Sequence, residues 1–125
     1  MMRTNRLMAV DDEADVIFTL KIILEQRGFL LDIFNDPEIA LIKFKPHFYD
    51  LLLLDVNMSN MNGFELDQEI KRKDDSAKAC FLTASEVYYE TLIKKYKVNS
   101  SCFIRKPIDT DRLVYHITKA LKEFK

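Results

Sequence analysis

The sequence predicts an α/β fold in which a five-stranded parallel sheet carries helices on both faces. Short apolar runs typical of strands alternate five times with longer amphipathic segments typical of helices. The third run, Leu51 to Leu54, is apolar at every position, as expected for a central strand that is buried on both sides. No repeat, linker or low-complexity stretch interrupts the alternation, which indicates one domain over residues 1–125.

The first half of the chain contains three predicted strands and two predicted helices. The first helix has an apolar stripe at helical spacing and ends at Gly28, a residue without a Cβ that commonly terminates helices. The second helix follows Asp36 as its N-cap, has Pro37 at its first position and ends before Pro46. The elements are strand 7–10, helix 13–27, strand 29–34, helix 37–45 and strand 51–54.

The second half continues the same alternation. Ser85 and Glu86 open the fourth helix, and the last helix begins after Asp109 with apolar residues at near-ideal spacing from Leu113 to Phe124. The predicted elements are helix 64–72, strand 78–82, helix 86–96, strand 101–105 and the helix that follows Asp109.

The composition excludes several classes of protein. A net charge of -1 gives no electrostatic footprint for nucleic acid, and no apolar run approaches the roughly 20 residues of a membrane span. The N-terminus reaches Asp11 before an apolar signal-peptide region could form, so we predict a cytoplasmic protein. Cys80 and Cys102 lie in separate strand-like runs without the close spacing of a metal or redox motif, so we expect reduced thiols in the core.

Polar side chains follow four of the five strands. Asp11 and Asp12 come after the first strand, Asp55 after the third, Thr83 after the fourth and Lys106 after the fifth. Because the carboxyl ends of parallel strands share one edge of an open sheet, we expect these side chains to meet in one crevice. Three carboxylates without Cys or His suit Mg²⁺, or Mn²⁺, better than zinc. The sequence therefore predicts a site for a divalent cation and a phosphoryl group.

These residues form four short fragments, one at the end of each of the four strands. Each fragment, taken alone, also has a simpler structural explanation. Asp11 and Asp12 could cap the helix that follows them, and a Thr at a strand end or a Lys-Pro pair is common. Lys106 could pair with Asp55 at rest and with a phosphoryl oxygen afterwards, and Pro107 is a candidate for a cis bond. The presence of all four fragments at one edge favours the chemical interpretation.

Together the four fragments resemble the receiver domain of two-component response regulators, over essentially the whole chain. The resemblance implies a flavodoxin-like, doubly wound sheet of strand order 2-1-3-4-5. It implies that Asp55 accepts a phosphoryl group from a histidine kinase. It also implies that Asp11 and Asp12, chiefly the second, hold Mg²⁺ together with Asp55 and the backbone carbonyl of Asn57.

The resemblance further implies a switch. Thr83 matches the hydroxyl that senses the phosphoryl group, Lys106 matches the lysine of the site, and Phe103 matches an aromatic residue that turns inward when the threonine moves. Two positions depart from the family pattern: Ser59 stands where Pro is usual after Met, and Asn99 where Gly is frequent. The first departure predicts a more mobile loop over the site.

The predicted function is a phosphorylation-driven switch rather than an enzyme with its own substrate. Its partners would be a sensor histidine kinase or phosphotransfer protein and a downstream protein that binds the fourth helix, fifth strand and fifth helix. We expect it to bind neither nucleic acid nor membrane directly.

Three alternative functions are considered. A phosphatase of the haloacid dehalogenase type has its nucleophilic Asp after the first strand and a second Asp two residues later, whereas in this chain Ala14 stands two residues beyond Asp12. A flavodoxin-like electron carrier would need Ser, Thr and Gly in the first loop to bind the flavin phosphate, whereas this loop has Asp11, Asp12 and Glu13, which repel phosphate. A receiver-like module that binds without phosphorylation is a further alternative.

Overall fold

In the described part of the chain, five β-strands alternate with five α-helices. The structure is a computed structural model that describes residues 4–84, 89–98 and 102–123. The elements are β1 (Arg6–Val10), α1 (Ala14–Gln26), β2 (Leu30–Phe34), α2 (Pro37–Lys43), β3 (Leu51–Asp55), α3 (Gly63–Lys73), β4 (Ala79–Thr83), α4 (Tyr89–Lys95), β5 (Phe103–Arg105) and α5 (Thr110–Glu123). Among the described helices, none is long and apolar enough to cross a lipid bilayer.

The strands form one parallel sheet in the order β2-β1-β3-β4-β5, which confirms the predicted architecture. All five residues of the central strand β3 are buried. From β1 the chain adds β2 on one side of the sheet, and it then adds β3, β4 and β5 on the other side. At such a reversal of strand order, here between β1 and β3, an open α/β sheet leaves a crevice beyond the carboxyl ends of its strands. Val10 and Leu54 are in register at this point, so the residues that follow them, Asp11 and Asp55, are neighbours.

The hydrophobic core consists of two layers, one on each face of the sheet. Alternate strand residues point to opposite faces, so Leu53 packs in the layer of α1 and α5 whereas Leu54 packs in the layer of α2, α3 and α4. The first layer contains the buried residues Leu20 of α1 and Ile117 of α5. Helices on both faces hold the sheet rigidly, which keeps its carboxyl edge in place as a platform for a site.

Local signals place the helix ends. The Asp36 side chain accepts hydrogen bonds from the N–H groups of the first turn of α2, as predicted. Gly28 adopts φ 89°, a left-handed conformation that glycine tolerates best, just after α1. Asn62 and Glu65 form a reciprocal capping box at the start of α3, a signal that the sequence analysis did not use.

Some element ends differ from the predicted ones by one or two residues. Thr83 lies inside β4 rather than after it, and α2 ends at Lys43 rather than at residue 45. The described part of β5 begins at Phe103, whereas the predicted start at residue 101 lies outside the described residues. The predicted start of the fourth helix and Asn99 also lie outside them.

Cys80 and Cys102 form a disulfide between β4 and β5, so the expectation of reduced thiols is wrong for this structure. Phe81 and Phe103 are in register on these parallel strands, and the preceding cysteines therefore lie opposite each other with their Cα atoms 4.7 Å apart. This separation is within the range that a disulfide bridges. The expectation rested on the spacing of the two cysteines along the chain, and did not use the predicted order that makes strands 4 and 5 neighbours or the register that brings the cysteines opposite each other.

Candidate functional site

The three predicted carboxylates meet at the carboxyl edge of β1 and β3. Asp11 and Asp55 are almost fully buried, and Asp12 is partly exposed. One oxygen atom from each carboxylate lies within 4.8 Å of one from each of the other two. Such a group of hard oxygen atoms matches the ligand preference of Mg²⁺.

Lys106 reaches this group from the end of β5. Its Nζ lies 2.8 Å from Asp11 Oδ2, 3.0 Å from Glu13 Oε1 and 3.4 Å from Asp55 Oδ1. The Lys106–Pro107 peptide bond is cis, and the Lys106 N–H donates a hydrogen bond to the Thr83 carbonyl at 2.8 Å. Burial acts to lower the pKa of the ammonium, but hydrogen bonds to Asp11 and Glu13 and the charges of Asp55 and Asp11 outweigh it and raise this pKa. Lys106 therefore stays charged.

Asp55 lies in surroundings that disfavour its charge. Burial raises the pKa of its carboxyl group to about 7, helped by the negative charge of the neighbouring Asp11. The charge of Lys106 and the N–H of Asn57, which lies 3.3 Å from Asp55 Oδ1, act in the opposite direction. Oδ2 of Asp55 is buried and accepts no hydrogen bond from the described residues.

This oxygen supports the fit of a divalent cation to the site. A buried carboxylate oxygen without a donor is costly unless a cation or a proton satisfies it. When all three are ionised, Asp11, Asp12 and Asp55 provide three negative charges, and among the described residues the ammonium of Lys106 lies at bonding distance of Asp11 and Asp55. The donor set therefore fits Mg²⁺ or Mn²⁺ in charge and in ligand type.

The loop between β3 and α3 closes one side of the site. The Gly63 N–H donates to the Val56 carbonyl at 3.1 Å and so draws the start of α3 onto the end of β3. A Cβ at Gly63 would collide with the backbone carbonyl of Asp55, so only glycine fits there without displacing the strand end. Ser59, in the middle of the loop, donates hydrogen bonds to Asp12.

Thr83 and Phe103 lie on the same face of the sheet. Thr83 is buried at the end of β4, two residues after Phe81, and side chains two apart on a strand point the same way. Phe103 of β5 is opposite Phe81, and the two rings stack with centroids 5.7 Å apart. Phe103 is partly buried, which leaves its ring at the boundary between this core layer and the surface.

Three residues of the site were missed by the sequence analysis: Glu13, Ser59 and Gly63. Glu13 directly follows Asp12 in the sequence, and this position beside the acidic pair is the signal that could have identified it. Its pairing with Lys106 depends on the paths of two separate loops. Ser59 had been noted only as a departure from the family pattern.

Comparisons with known proteins identify the family of the chain. The family model of the response regulator receiver domain matches residues 7–118. Chemotaxis protein CheY of Bacillus subtilis is 31% identical over 119 residues, which cover 94% of this chain and 98% of that protein. Transcriptional regulatory protein RprY of Bacteroides fragilis is 26% identical over 94% of this chain, but the match covers 49% of RprY. The chain thus spans about half the length of this larger relative.

Solved structures show the same fold. A response regulator receiver domain protein (CheY-like) from Methanospirillum hungatei superposes with a TM-score of 0.85 over 97% of this chain and 96% of that chain, at 24% identity. Response regulator protein TrrA from Thermotoga maritima, solved in complex with Mg²⁺ and BeF, has a TM-score of 0.79 at 30% identity, covering 94% of this chain and 99% of that chain.

The fold and the site together define a phosphorylation-controlled signalling domain of the doubly wound class. The chain belongs to the family of response regulator receiver domains of two-component systems. Phosphorylation-based switching is the general function of this family, which acts together with histidine kinases and downstream effectors.

Proposed function

We propose that the chain is a receiver domain, over residues 1–125, in which Asp55 accepts a phosphoryl group from a sensor histidine kinase or a phosphotransfer protein. The observation that carries this proposal is the position of Asp55. Its buried carboxylate belongs to the cluster with Asp11 and Asp12 and lies 3.4 Å from Lys106 Nζ, and its Oδ2 has no donor among the described residues. A nucleophilic carboxylate beside both a cation site and a fixed positive charge suits phosphoryl transfer.

Asp11, Asp12, Asp55 and the backbone carbonyl of Asn57 would hold Mg²⁺. When bound, the cation supplies positive charge that draws the proton from Asp55 and neutralises the phosphoryl oxygens. Asp12 is the most accessible of the three carboxylates, so it can bind a hydrated cation from solvent.

In the transfer step, a carboxylate oxygen of Asp55 forms a bond to phosphorus while the phosphorus–nitrogen bond of the donor histidine breaks. The product is an acyl phosphate on Asp55, and the donor imidazole leaves with the electron pair. Lys106 is held in the resting state by Asp11, Glu13 and Asp55, so it can turn from these carboxylates to a phosphoryl oxygen without crossing the site. Its permanent charge stabilises the negative charge that develops there.

The same site should also release its phosphoryl group by hydrolysis. Asn57 is exposed at the entrance, and a short amide side chain at this position leaves room for water to reach the acyl phosphate. Ser85, which the sequence analysis placed at the start of the fourth helix, lies outside the described residues. We expect the acyl phosphate to hydrolyse over minutes to hours. While Asp55 remains phosphorylated, a protein partner would bind the α4-β5-α5 face.

The test is the intact mass of the protein after incubation with acetyl phosphate and Mg²⁺. The unsubstituted chain should gain about 80 Da, the mass of one phosphoryl group. Asp55→Asn should gain nothing. Asp67→Asn is a matched control, because Asp67 is also a buried carboxylate paired with a lysine, but on α3. An Asp55→Asn protein that still gains this mass would show that another residue is the acceptor.

A further inference from the structure

Ser59 makes a contact that joins the two loops of the site. Its N–H donates to Asp12 Oδ2 at 3.0 Å, and its Oγ lies 3.3 Å from the same oxygen. The two residues are 47 positions apart, one after β1 and the other after β3. Within the part of the chain that the structure describes, these are the hydrogen bonds that hold the Asp12 carboxylate.

The other two carboxylates of the site are held differently. Asp11 pairs with Lys106 and accepts a hydrogen bond from the Glu13 N–H, and Asp55 is buried beside the same lysine. Asp12 is the more exposed member, so its side chain has more rotamer freedom to lose when it binds a cation. Donors that fix its orientation beforehand reduce this loss.

The contact leaves Asp12 in a position to bind. While Ser59 holds Oδ2, an oxygen of Asp12 is already within 4.8 Å of oxygens of Asp11 and Asp55. Each carboxylate oxygen has two lone-pair positions, so Asp12 can accept both hydrogen bonds at Oδ2 and still offer Oδ1 to a cation. Two hydrogen bonds at one oxygen therefore leave Asp12 with lone pairs for a cation.

We infer that Ser59 is a positioning residue that orients Asp12 for the divalent cation, chiefly through its backbone N–H. This role rests on the magnesium site proposed above and adds to it a residue that is not itself a ligand. Partners that orient a ligand in this way typically contribute about 10- to 100-fold in metal affinity when they are buried, and the lower end applies to this exposed contact. Because Ser59 belongs to the β3-α3 loop, cation binding would also depend on the position of this loop.

The test is calorimetric titration with Mg²⁺ alone, on the full chain without a phosphodonor. Ser59→Pro removes the N–H and the hydroxyl, and should weaken Mg²⁺ binding on the order of tenfold. Ser59→Ala keeps the N–H and should weaken it less. Ser59→Thr keeps both donors and should restore the affinity of the unsubstituted chain.

Ser76→Ala is a matched control for loss of a serine hydroxyl. Ser76 Oγ donates to Asp74 Oδ1 at 2.6 Å beyond the end of α3, outside the cluster of candidate metal ligands. This variant should leave Mg²⁺ affinity unchanged. In addition, the amide proton of Ser59 should shift upfield in Asp12→Asn, because a hydrogen bond to a charged oxygen is lost.

Equal Mg²⁺ affinity in the unsubstituted chain, Ser59→Ala and Ser59→Pro would overturn the inference while leaving the metal site intact. Tighter binding in Ser59→Pro would also overturn it, since the contact would then restrain Asp12 against the cation. No Mg²⁺ binding by the unsubstituted chain would overturn the metal site itself and this role with it.

Discussion

At the scale of single residues, the charge state of Asp55 is the property most sensitive to its surroundings. Burial raises the pKa of this carboxyl group to about 7, against an ordinary value of about 4 in an unfolded chain. The folded chain therefore binds a proton more tightly at Asp55 than the unfolded chain does. Stability from this group is complete below pH 4 and is lost as the pH rises through 7.

The resulting prediction concerns Asp55→Asn in a metal-free buffer with a chelator. The variant cannot ionise at this position, so its melting temperature should exceed that of the unsubstituted chain by an amount that grows between about pH 4 and pH 7 and then levels off. Thermal unfolding at several pH values measures this difference. Asp67→Asn extends the test to a second buried carboxyl group, because burial also raises the pKa of Asp67 despite its ion pair with Lys71, and the effect should have the same sign. A difference between Asp55→Asn and the parent that does not change with pH would contradict the prediction.

The sequence predicted the site residues that follow strands and missed those whose role depends on loops. Asp11, Asp55 and Lys106 meet because strand ends of a parallel sheet share an edge, a rule that needs only the positions of the strands. Ser59 contacts Asp12, and Gly63 at the start of α3 comes close to the Asp55 carbonyl, because of the path of the loop between β3 and α3, residues 56–62. The spacing of apolar residues predicts strands and helices, but it does not predict the path of a loop.

At the scale of elements, the strands were easier to predict than the ends of helices. The buried runs of β1 and β3 contain no polar residue before the site, so apolar character alone identifies them. The end of α2 was placed two residues too late, because Pro46 excludes helix beyond it without fixing where the last turn ends. The Asn62 and Glu65 capping box shows that a recognisable pattern at the start of α3 was available but not used.

The disulfide between β4 and β5 leads to a second prediction. It closes a loop over a sequence separation of 22 residues, for which the chain-entropy relation gives about 3 kcal/mol of stabilisation. Reduction, or the substitution Cys102→Ala, should lower the free energy of unfolding in urea by about this amount. Reductant should have no effect on Cys102→Ala itself, which serves as the control.

The bond is also directly testable by mass. Protein purified without reductant and treated with an alkylating agent under denaturing conditions should show no alkylation at Cys80 or Cys102. Alkylation of both residues would show that they are thiols in the isolated protein. This outcome matters because a reducing cytoplasm, the location predicted from the sequence, keeps most thiols reduced.

At the scale of the whole molecule, β4 and β5 connect the proposed phosphoryl site to the α4-β5-α5 face, the proposed output surface. Thr83 ends β4, Phe103 begins the described part of β5, and the ring of Phe81, two residues before Thr83, stacks on that of Phe103 on the same face of the sheet. The Lys106 N–H joins the two strand ends through the Thr83 carbonyl. A shift at Thr83 can therefore change packing around Phe103 through adjacent strands of a rigid sheet.

The last prediction is that Thr83→Ala separates phosphorylation from its output. Phosphorylation adds roughly 1.5 to 2 negative charges beside Lys106, and the Thr83 hydroxyl should move toward a phosphoryl oxygen and leave space that the Phe103 ring can fill. Without this hydroxyl, Asp55 should still gain the mass of a phosphoryl group, but the coupling to the output face, typically about 1 to 3 kcal/mol, should be largely lost.

Amide chemical shifts in the presence of Mg²⁺ and beryllofluoride, a phosphoryl mimic, measure this coupling. The parent chain should show changes near Asp55 and at Phe103 and Tyr115, whereas Thr83→Ala should show those near Asp55 alone. Thr19→Ala is the control, because the Thr19 hydroxyl bonds within α1 to the Asp15 carbonyl. Identical changes at Phe103 and Tyr115 in Thr83→Ala would exclude this route. The loop that carries Ser59 would then be the better candidate, since it already contacts a carboxylate of the site.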